Sequence, residues 1–362
     1  MARLVAPRSR EALERRTAGG FERRFGRSAE FVVSAPGRAN LIGEHTDYNN
    51  GLVLPFAIQR RTAIAAAPRA DRTVRVASAL AEGDVTIDLD RPIHRSLPRW
   101  GDYVRGVLAE WIAAVGPLQR GFDAWIDSDV PVGAGLSSSA ALEVATANLL
   151  ESSEGTAIAP EAKAGLCCRA EHRYAGVPCG IMDQMASVLS DGTPLLIDCR
   201  DLGWRPVAIP AGQVQIVVVD SCLSHDLGQG EFARRVAECR EAARLLDVAS
   251  LREASREAVL GLSSRLRARA LHVLDENARV LAAVNAIQTN DWLLLGAILD
   301  AGHASLRDLY EVSRPEMDAL VASLRLAGAL GARMTGGGFG GCAVALFPAQ
   351  IDVGEALVAA AI

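Results

Sequence analysis

The sequence predicts a two-domain α+β protein, with units at 1–200 and 201–362. Three observations carry this. The 362 residues are enough for two domains of ordinary size, 50% of them are hydrophobic and able to fill two cores, and mixed strand and helix patterns restart near residue 200.

The Arg- and Glu-rich opening, up to Gly26, reads as an amphipathic helix, because it lacks the apolar core of roughly 7 to 15 residues that a secretory signal needs. Residues 31–33 and 52–58 are β-branched and aromatic runs. The Asn49-Asn50-Gly51 turn signal places the polar residues between them on a connection between strands, with Pro36-Gly37 fixing a turn before Arg38. Strands are expected over 62–67, 73–77, 85–89 and 122–126, with one helix over 103–115. Helical spacing follows over 136–174, broken at Gly155 and Pro160, and then a strand at 195–197. The second half offers strands at 205–209, 214–219 and 342–347 and helices at 232–246, 265–287 and 316–326. No internal repeat or low-complexity tract interrupts the pattern.

Composition removes several functional classes. A net charge of −5 and a pI near 5.8 give no electrostatic footprint for nucleic acid or an anionic membrane, so neither is expected as a partner. No stretch approaches the ~18 apolar residues of a membrane span. Of 38 basic residues only Lys163 is a lysine, and it lies in a helix-like run, so neither a P-loop nor a protein-kinase lysine is available. The seven cysteines lack C-x-x-C pairs and fit reduced thiols in the cytoplasm. The six histidines are dispersed without zinc-ligand spacing, so no transition-metal site is expected.

Four segments carry candidate chemistry. Between Ser34 and Leu54, Arg38, Glu44, His45 and Asp47 combine donors and acceptors that can satisfy the hydroxyls of a sugar, although such a run can equally be a solvated loop. PVGAGLSSSAALEV, from Pro131, joins a Gly-containing loop to three serines and a helical pattern. Free N–H groups at a helix start bind phosphate without a lysine, whereas the plainer role for Ser137, Ser138 and Ser139 is capping. MTGGGFGG, from Met334, leads into a strand rather than a helix, which argues for close backbone approach and against a dinucleotide fingerprint. In CGIMDQM, Asp183 is a carboxylate among apolar residues, either a loop anchor or a base for an attacking hydroxyl, and Glu171 is a candidate Mg²⁺ ligand with Ser139.

In this order, GRANLIGEHTDYNNG from Gly37, PVGAGLSSSAALEVA from Pro131 and MTGGGFGG from Met334 resemble the signatures of galactokinases, members of the galacto-, homoserine, mevalonate and phosphomevalonate (GHMP) kinase superfamily. CGIMDQ, ECREAARLL, HVLDENARV and SLRDLYEVSRPEMD extend the similarity over nearly the whole chain. The resemblance implies a ribosomal-S5-like N-terminal lobe and a ferredoxin-like C-terminal lobe with the active site in the cleft between them. It also implies ATP- and Mg²⁺-dependent phosphorylation of galactose at the anomeric 1-hydroxyl, giving galactose 1-phosphate and ADP, with no obligate protein partner. Carried over by position, Glu44, His45, Asp47 and Gly180 hold the sugar, and Arg38 and Asp183 flank the reacting hydroxyl. Gly133, Gly135, Leu136, Ser137, Ser138 and Ser139 cradle phosphates, Gly337 and Gly338 lie on the nucleotide side, and Ser139 with Glu171 holds Mg²⁺. Trp100 and Tyr103 resemble the adenine-side aromatics.

Three departures mark the chain. Phe232 stands where galactokinases commonly place a tyrosine that touches the sugar, Ser224-His225-Asp226 lacks the usual neighbouring basic residue, and the chain stops at GEALVAAAI, short of a final segment such kinases carry. Two alternatives stay open on sequence: a related kinase for arabinose, galacturonate or N-acetylgalactosamine, and a non-catalytic galactose sensor. Retention of Ser139-Ala140 and Asp183 favours an enzyme over a sensor.

Overall fold

A computed structural model describes residues 8–223 and 228–359. The Ser224-His225-Asp226 departure therefore lies outside the described residues.

Helix α1 (Arg10–Phe25) starts where the Ser9 side chain accepts from the Ala12 N–H and stops at Gly26, whose φ of 69° is left-handed. Its apolar stripe of Leu13, Thr17, Gly20 and Phe21 is buried. Strand β1 (Phe31–Asn40) runs through Pro36-Gly37, where its register against the later strand Pro55–Pro68 shifts between Pro36 and Arg38. The expected turn is thus a β-bulge, and Arg38 sits on a strand rather than a loop. A bulge accommodates the missing N–H of a proline without ending the strand, which is why the dipeptide misleads.

After β2 (Leu52–Val53) and β3 (Pro55–Pro68) come β4 (Thr73–Ser78), β5 (Val85–Asp88), α2 (Gly101–Ala114) and β6 (Phe122–Ser128). The first sheet has the order β1-β3-β6-β4-β5. Helices α2, α3 (Ser138–Glu154) and α4 (Pro160–Ala170) cover it, burying Val104, Val107, Trp111, Val144, Leu149 and Leu166 against Ile64, Val74, Val76 and Ile126. A π turn (Glu171–Ala175) and α5 (Met182–Leu189) lead to β7 (Leu195–Asp198) and β8 (Trp204–Pro206), which form a small sheet with β2 in the order β2-β7-β8. Residue 200 falls in the turn between β7 and β8. Strand β8 stops at Pro206, short of the expected 209, since proline cannot donate to a ladder.

The second half contains β9 (Val214–Asp220), α6 (Gly228–Leu245), α7 (Arg256–Leu260), α8 (Ser264–Gln288), α9 (Trp292–Ser305), a π turn (Leu306–Tyr310), α10 (Pro315–Leu326), β10 (Gly331–Thr335), β11 (Cys342–Pro348) and α11 (Val353–Ala359). Its sheet order is β10-β11-β9. Both faces of β11 are buried, with Ala343, Ala345 and Phe347 on one side and Cys342, Val344 and Leu346 on the other. The second of these faces joins Leu41, Ile42 and Leu54 to Val280, Val284 and Leu295 in one core, so the chain around Glu44 is fixed by both halves. Helix α9 has no counterpart in the sequence reading. Gly296 meets the backbone of Leu330 and Gly331 so closely that a Cβ there would lie 2.1 Å from the Leu330 carbonyl oxygen, and helical glycines weaken the pattern that reveals a helix.

Candidate active site

One cleft of about 330 Å³ gathers most of the predicted residues. Its walls include Arg38 from β1; Glu44, His45 and Asp47 from the following connection; Gly133, Gly135, Ser137, Ser138 and Ser139; Glu171 and Cys179; Asp183 from α5; Phe232 from α6; and Gly336, Gly337 and Gly338 between β10 and β11. The second half of the chain thus closes a site that the first half mostly furnishes.

Asp183 stands at its centre. Arg38 donates to both carboxylate oxygens, Nε to Oδ1 at 2.7 Å and Nη2 to Oδ2 at 2.8 Å, a bidentate grip that fixes the plane of the carboxylate. The Ser137 hydroxyl donates to Oδ2, and Arg38 Nη1 donates to the Gly135 carbonyl at 2.6 Å. Arg38 therefore ties the acid to the serine loop. Ser137 has a φ of 58° and makes no side-chain cap bond, so the plain capping role does not describe it. The first intrahelical bond of α3 runs from Ala141 N–H to Ser137 O, which leaves the amides of Ser138, Ser139 and Ala140 ahead of the ladder. Such a turn, with the helix dipole behind it, suits an anion. Gly336, with a φ of 86°, packs on this loop so tightly that a Cβ would lie 2.8 Å from the Gly135 carbonyl oxygen. The close backbone approach read from the glycine run is therefore present. Leu136 is buried beneath the loop in the core shared by the two halves and does not line the cleft.

Behind another part of the lining, Glu44 and Glu276 share the buried guanidinium of Arg333. Burial dominates at Glu44 and pushes its carboxyl up to about 7, against the lowering charge of Arg333. At Glu276 the cost of burial is outweighed by Arg333 and Arg279, which hold it well below the usual carboxylate range. Asp47 is also pushed up to about 7, first by burial and then by the charge of Asp183. Gly180 does not line the cleft but backs Asp47, since a Cβ at that position would lie 2.0 Å from Asp47 Oδ2. His45, lowered well below its ordinary value by burial and then by His272, is neutral; its Nδ1 lies 2.8 Å from the Tyr48 hydroxyl. Phe232 packs near it, with ring centroids 5.8 Å apart. Glu44 Oε1 and His45 Nε2 are buried without a hydrogen-bond partner, while Glu44 Oε2 is taken up by the ion pair to Arg333. Buried polar atoms without partners are uncommon, and two on adjacent residues of the cleft fit a polyhydroxyl ligand.

Glu171 and Ser139 are brought together: the Ser139 hydroxyl bonds to the Glu171 carboxylate, which is nonetheless raised to about 7 by burial and then by Asp183. A hydroxyl and a carboxylate oxygen at the mouth of an anion-binding turn are hard donors of the kind Mg²⁺ accepts. Gln184 Nε2 bridges Glu171, at 2.7 Å, and Glu143, at 3.0 Å. Burial and then the charge of Glu171 hold Glu143 well above its ordinary value.

Trp100 and Tyr103 do not line the cleft; Trp100 Nε1 donates to the Glu82 carbonyl at 3.2 Å, and Tyr103 is raised by burial and then by Glu171 and Glu143. Sequence reading missed Arg333, Glu276, Glu143 and Gln184, four polar side chains inside helical or strand patterns. It also missed a grouping that sequence spacing does not disclose: Cys168, His172 and Cys179 converge beside the cleft.

Comparison with known proteins places these features. Residues 19–68 match a family described as the galactokinase galactose-binding signature, 102–191 match the GHMP kinase N-terminal domain and 283–361 the GHMP kinase C-terminal domain. The chain is 45% identical to the galactokinase of Canis lupus familiaris over 97% of its own length and 92% of that protein. It is 46% identical to the galactokinase of Chloroflexus aurantiacus, covering 94% of this chain and 89% of that one. Among solved structures it superimposes on Lactococcus lactis galactokinase complexed with galactose with a TM-score of 0.87 and 34% identity, covering 95% of this chain and 92% of that one. The fold is shared more widely: Methanococcus jannaschii mevalonate kinase gives a TM-score of 0.68 at 17% identity over 92% of this chain and 96% of that one.

Proposed function

The chain belongs to the galactokinase family, and from that premise we propose that its cleft transfers the γ-phosphoryl group of ATP to the anomeric 1-hydroxyl of galactose. It is a sugar kinase, and ATP use follows from its family. The observation that carries the residue assignment is the position of Asp183, held by Arg38 and Ser137 between the unpartnered polar wall and the serine loop.

The wall of Glu44, His45 and Asp47 accepts the sugar hydroxyls, with Gly180 leaving room behind Asp47. The 1-hydroxyl is aimed at Asp183, whose carboxylate takes its proton as the new O–P bond forms and the bond to ADP breaks. Phosphoryl transfer through a loose transition state depends chiefly on alignment and charge neutralisation. Arg38 and the free amides at the start of α3 supply positive charge on the protein side, and Gly337 and Gly338 border the nucleotide. Ser139 and Glu171 would hold Mg²⁺, which when bound neutralises phosphate charge. Phe232 offers the sugar an apolar ring edge and no hydroxyl. Residues 1–200 and 201–362 are the two lobes on this reading, and the unpaired cysteines favour a cytoplasmic location.

An ATP-turnover assay over free galactose, glucose, arabinose, galacturonate and N-acetylgalactosamine tests the proposal. Galactose is expected to be the fastest acceptor. Turnover of another sugar in its place would overturn the substrate, and binding without turnover would overturn the enzyme.

The raised carboxyls give a pH dependence. Asp47 has a value of about 7, so it is mostly ionised at pH 8 and mostly protonated at pH 6. Glu44 stands at about 7 as well, and with the ionised carboxylates accepting the sugar hydroxyls, KM for galactose rises from pH 8 to pH 6 by about tenfold for each of the two groups, the change in its ionised fraction. Stability responds in the opposite sense. A carboxyl raised on folding favours the folded state when protonated, so this contribution is present at low pH and lost as pH rises through about 7. Galactose KM measured from pH 6 to 8 at saturating ATP checks the first effect, and a flat profile would remove Asp47 from sugar binding.

A further inference from the structure

Beside the cleft, a second set of donors takes no part in the proposed chemistry. Cys168, in the last turn of α4, and His172, in the π turn, are four residues apart and project from neighbouring turns of one helical face. The chain then returns at Cys179. One ligand atom from each of the three lies within 4.8 Å of the other two.

The spacing has a chemical meaning. Tetrahedral zinc bonds of about 2.3 Å to sulfur and 2.0–2.1 Å to nitrogen put an S···N edge at about 3.6 Å and an S···S edge at about 3.8 Å. Cys168 Sγ lies 3.6 Å from His172 Nε2. Two thiols and an imidazole select soft or borderline cations over Mg²⁺. His172 is exposed and offers an entry path, while Cys168 is buried. Glu171 Oε2 lies 3.5 Å from Cys179 Sγ, near enough to complete the coordination. The interval C-x₃-H-x₆-C matches no common zinc motif, so spacing alone does not disclose the group.

We propose that Cys168, His172 and Cys179 form a binding site for a thiophilic divalent cation, with Zn²⁺ as the reference ion, and that its occupation inhibits the kinase. Binding takes both sulfurs as thiolates and the imidazole as neutral, with its remaining proton on Nδ1 and the Nε2 lone pair on the ion, so the protons held by the sulfurs and by Nε2 leave to solvent. In the ion-free protein Nε2 instead faces the Cys179 carbonyl at 2.7 Å. The ion draws Glu171 toward itself and moves Cys179 and the adjoining Gly180, which backs Asp47. Inhibition rests on the proposed roles of Glu171 and Asp47; binding does not.

Cobalt(II) titration of the full chain under a non-thiol reductant, without ATP or Mg²⁺, separates the two. One equivalent is expected to give thiolate-to-cobalt charge-transfer absorption in the near ultraviolet, displaced by Zn²⁺. Cys168→Ser and His172→Gln are each expected to weaken binding by about tenfold or more, the scale of perturbations at metal sites. His172→Gln changes an exposed residue and serves if Cys168→Ser does not fold. Cobalt binding without charge transfer, or unchanged in both variants, overturns the site. At saturating ATP and Mg²⁺, Zn²⁺ is expected to inhibit the wild type and to be relieved by a zinc-selective chelator. Equal inhibition of His172→Gln, or full turnover with the charge-transfer site occupied, overturns the inhibitory role.

Discussion

Asp183→Asn is expected to lower kcat by roughly 10²-fold or more while galactose still binds. Asparagine keeps the size of the side chain and one acceptor oxygen, but it cannot take up the proton of the attacking hydroxyl. It also presents an NH₂ group to Arg38, whose Nε and Nη2 now meet two carboxylate oxygens at 2.7 and 2.8 Å. The sugar wall of Glu44, His45 and Asp47 is untouched, so the loss should fall on kcat rather than on affinity. Steady-state kinetics with calorimetric titration of galactose separates the two, and turnover near the wild-type rate would remove Asp183 from the mechanism. Because Arg38 and Asp183 act as one unit, Arg38→Met combined with Asp183→Asn should cost little more than the worse single change.

What the sequence disclosed follows from the kind of signal each feature leaves. The sheets and long helices show as hydrophobic periodicity, and α8 and β11 lie close to where the pattern puts them. Helix α9 is hidden by Gly296 and Gly302, glycines required by contact with β10 and Arg333 rather than by the helix itself. Arg38 is placed on a loop by a Pro-Gly pair that proves to be a bulge within a strand. The cleft was legible as clusters: charged residues after β1, serines before α3 and glycines before β11. Partnerships between distant residues leave no local trace. Arg333 lies in a strand segment with no nearby acid in sequence, and its partners Glu44 and Glu276 come from the other half and from the middle of α8. Glu143 likewise reads as one more helical glutamate until Gln184 is seen to tie it to Glu171.

Arg333→Met carries the largest expected effect on stability. The guanidinium is fully buried between the carboxylates of Glu44 and Glu276, and removing it leaves two acids in a site from which water is excluded. Breaking a buried pair in this way costs about 3–5 kcal/mol. Arg279 still bonds Glu276, its Nε to Oε2 at 2.6 Å, so the uncompensated charge falls mainly on Glu44. Already raised to about 7 by burial, Glu44 rises further without Arg333 and is protonated at neutral pH. A raised carboxyl favours the folded state when protonated, so the variant should lose more stability relative to the wild type at pH 8 than at pH 6. Urea unfolding at the two pH values measures this, and equal losses would mean that Glu44 does not carry the unpaired charge. Galactose affinity should be weak in the variant, because a protonated Glu44 is no longer the acceptor that the sugar wall requires.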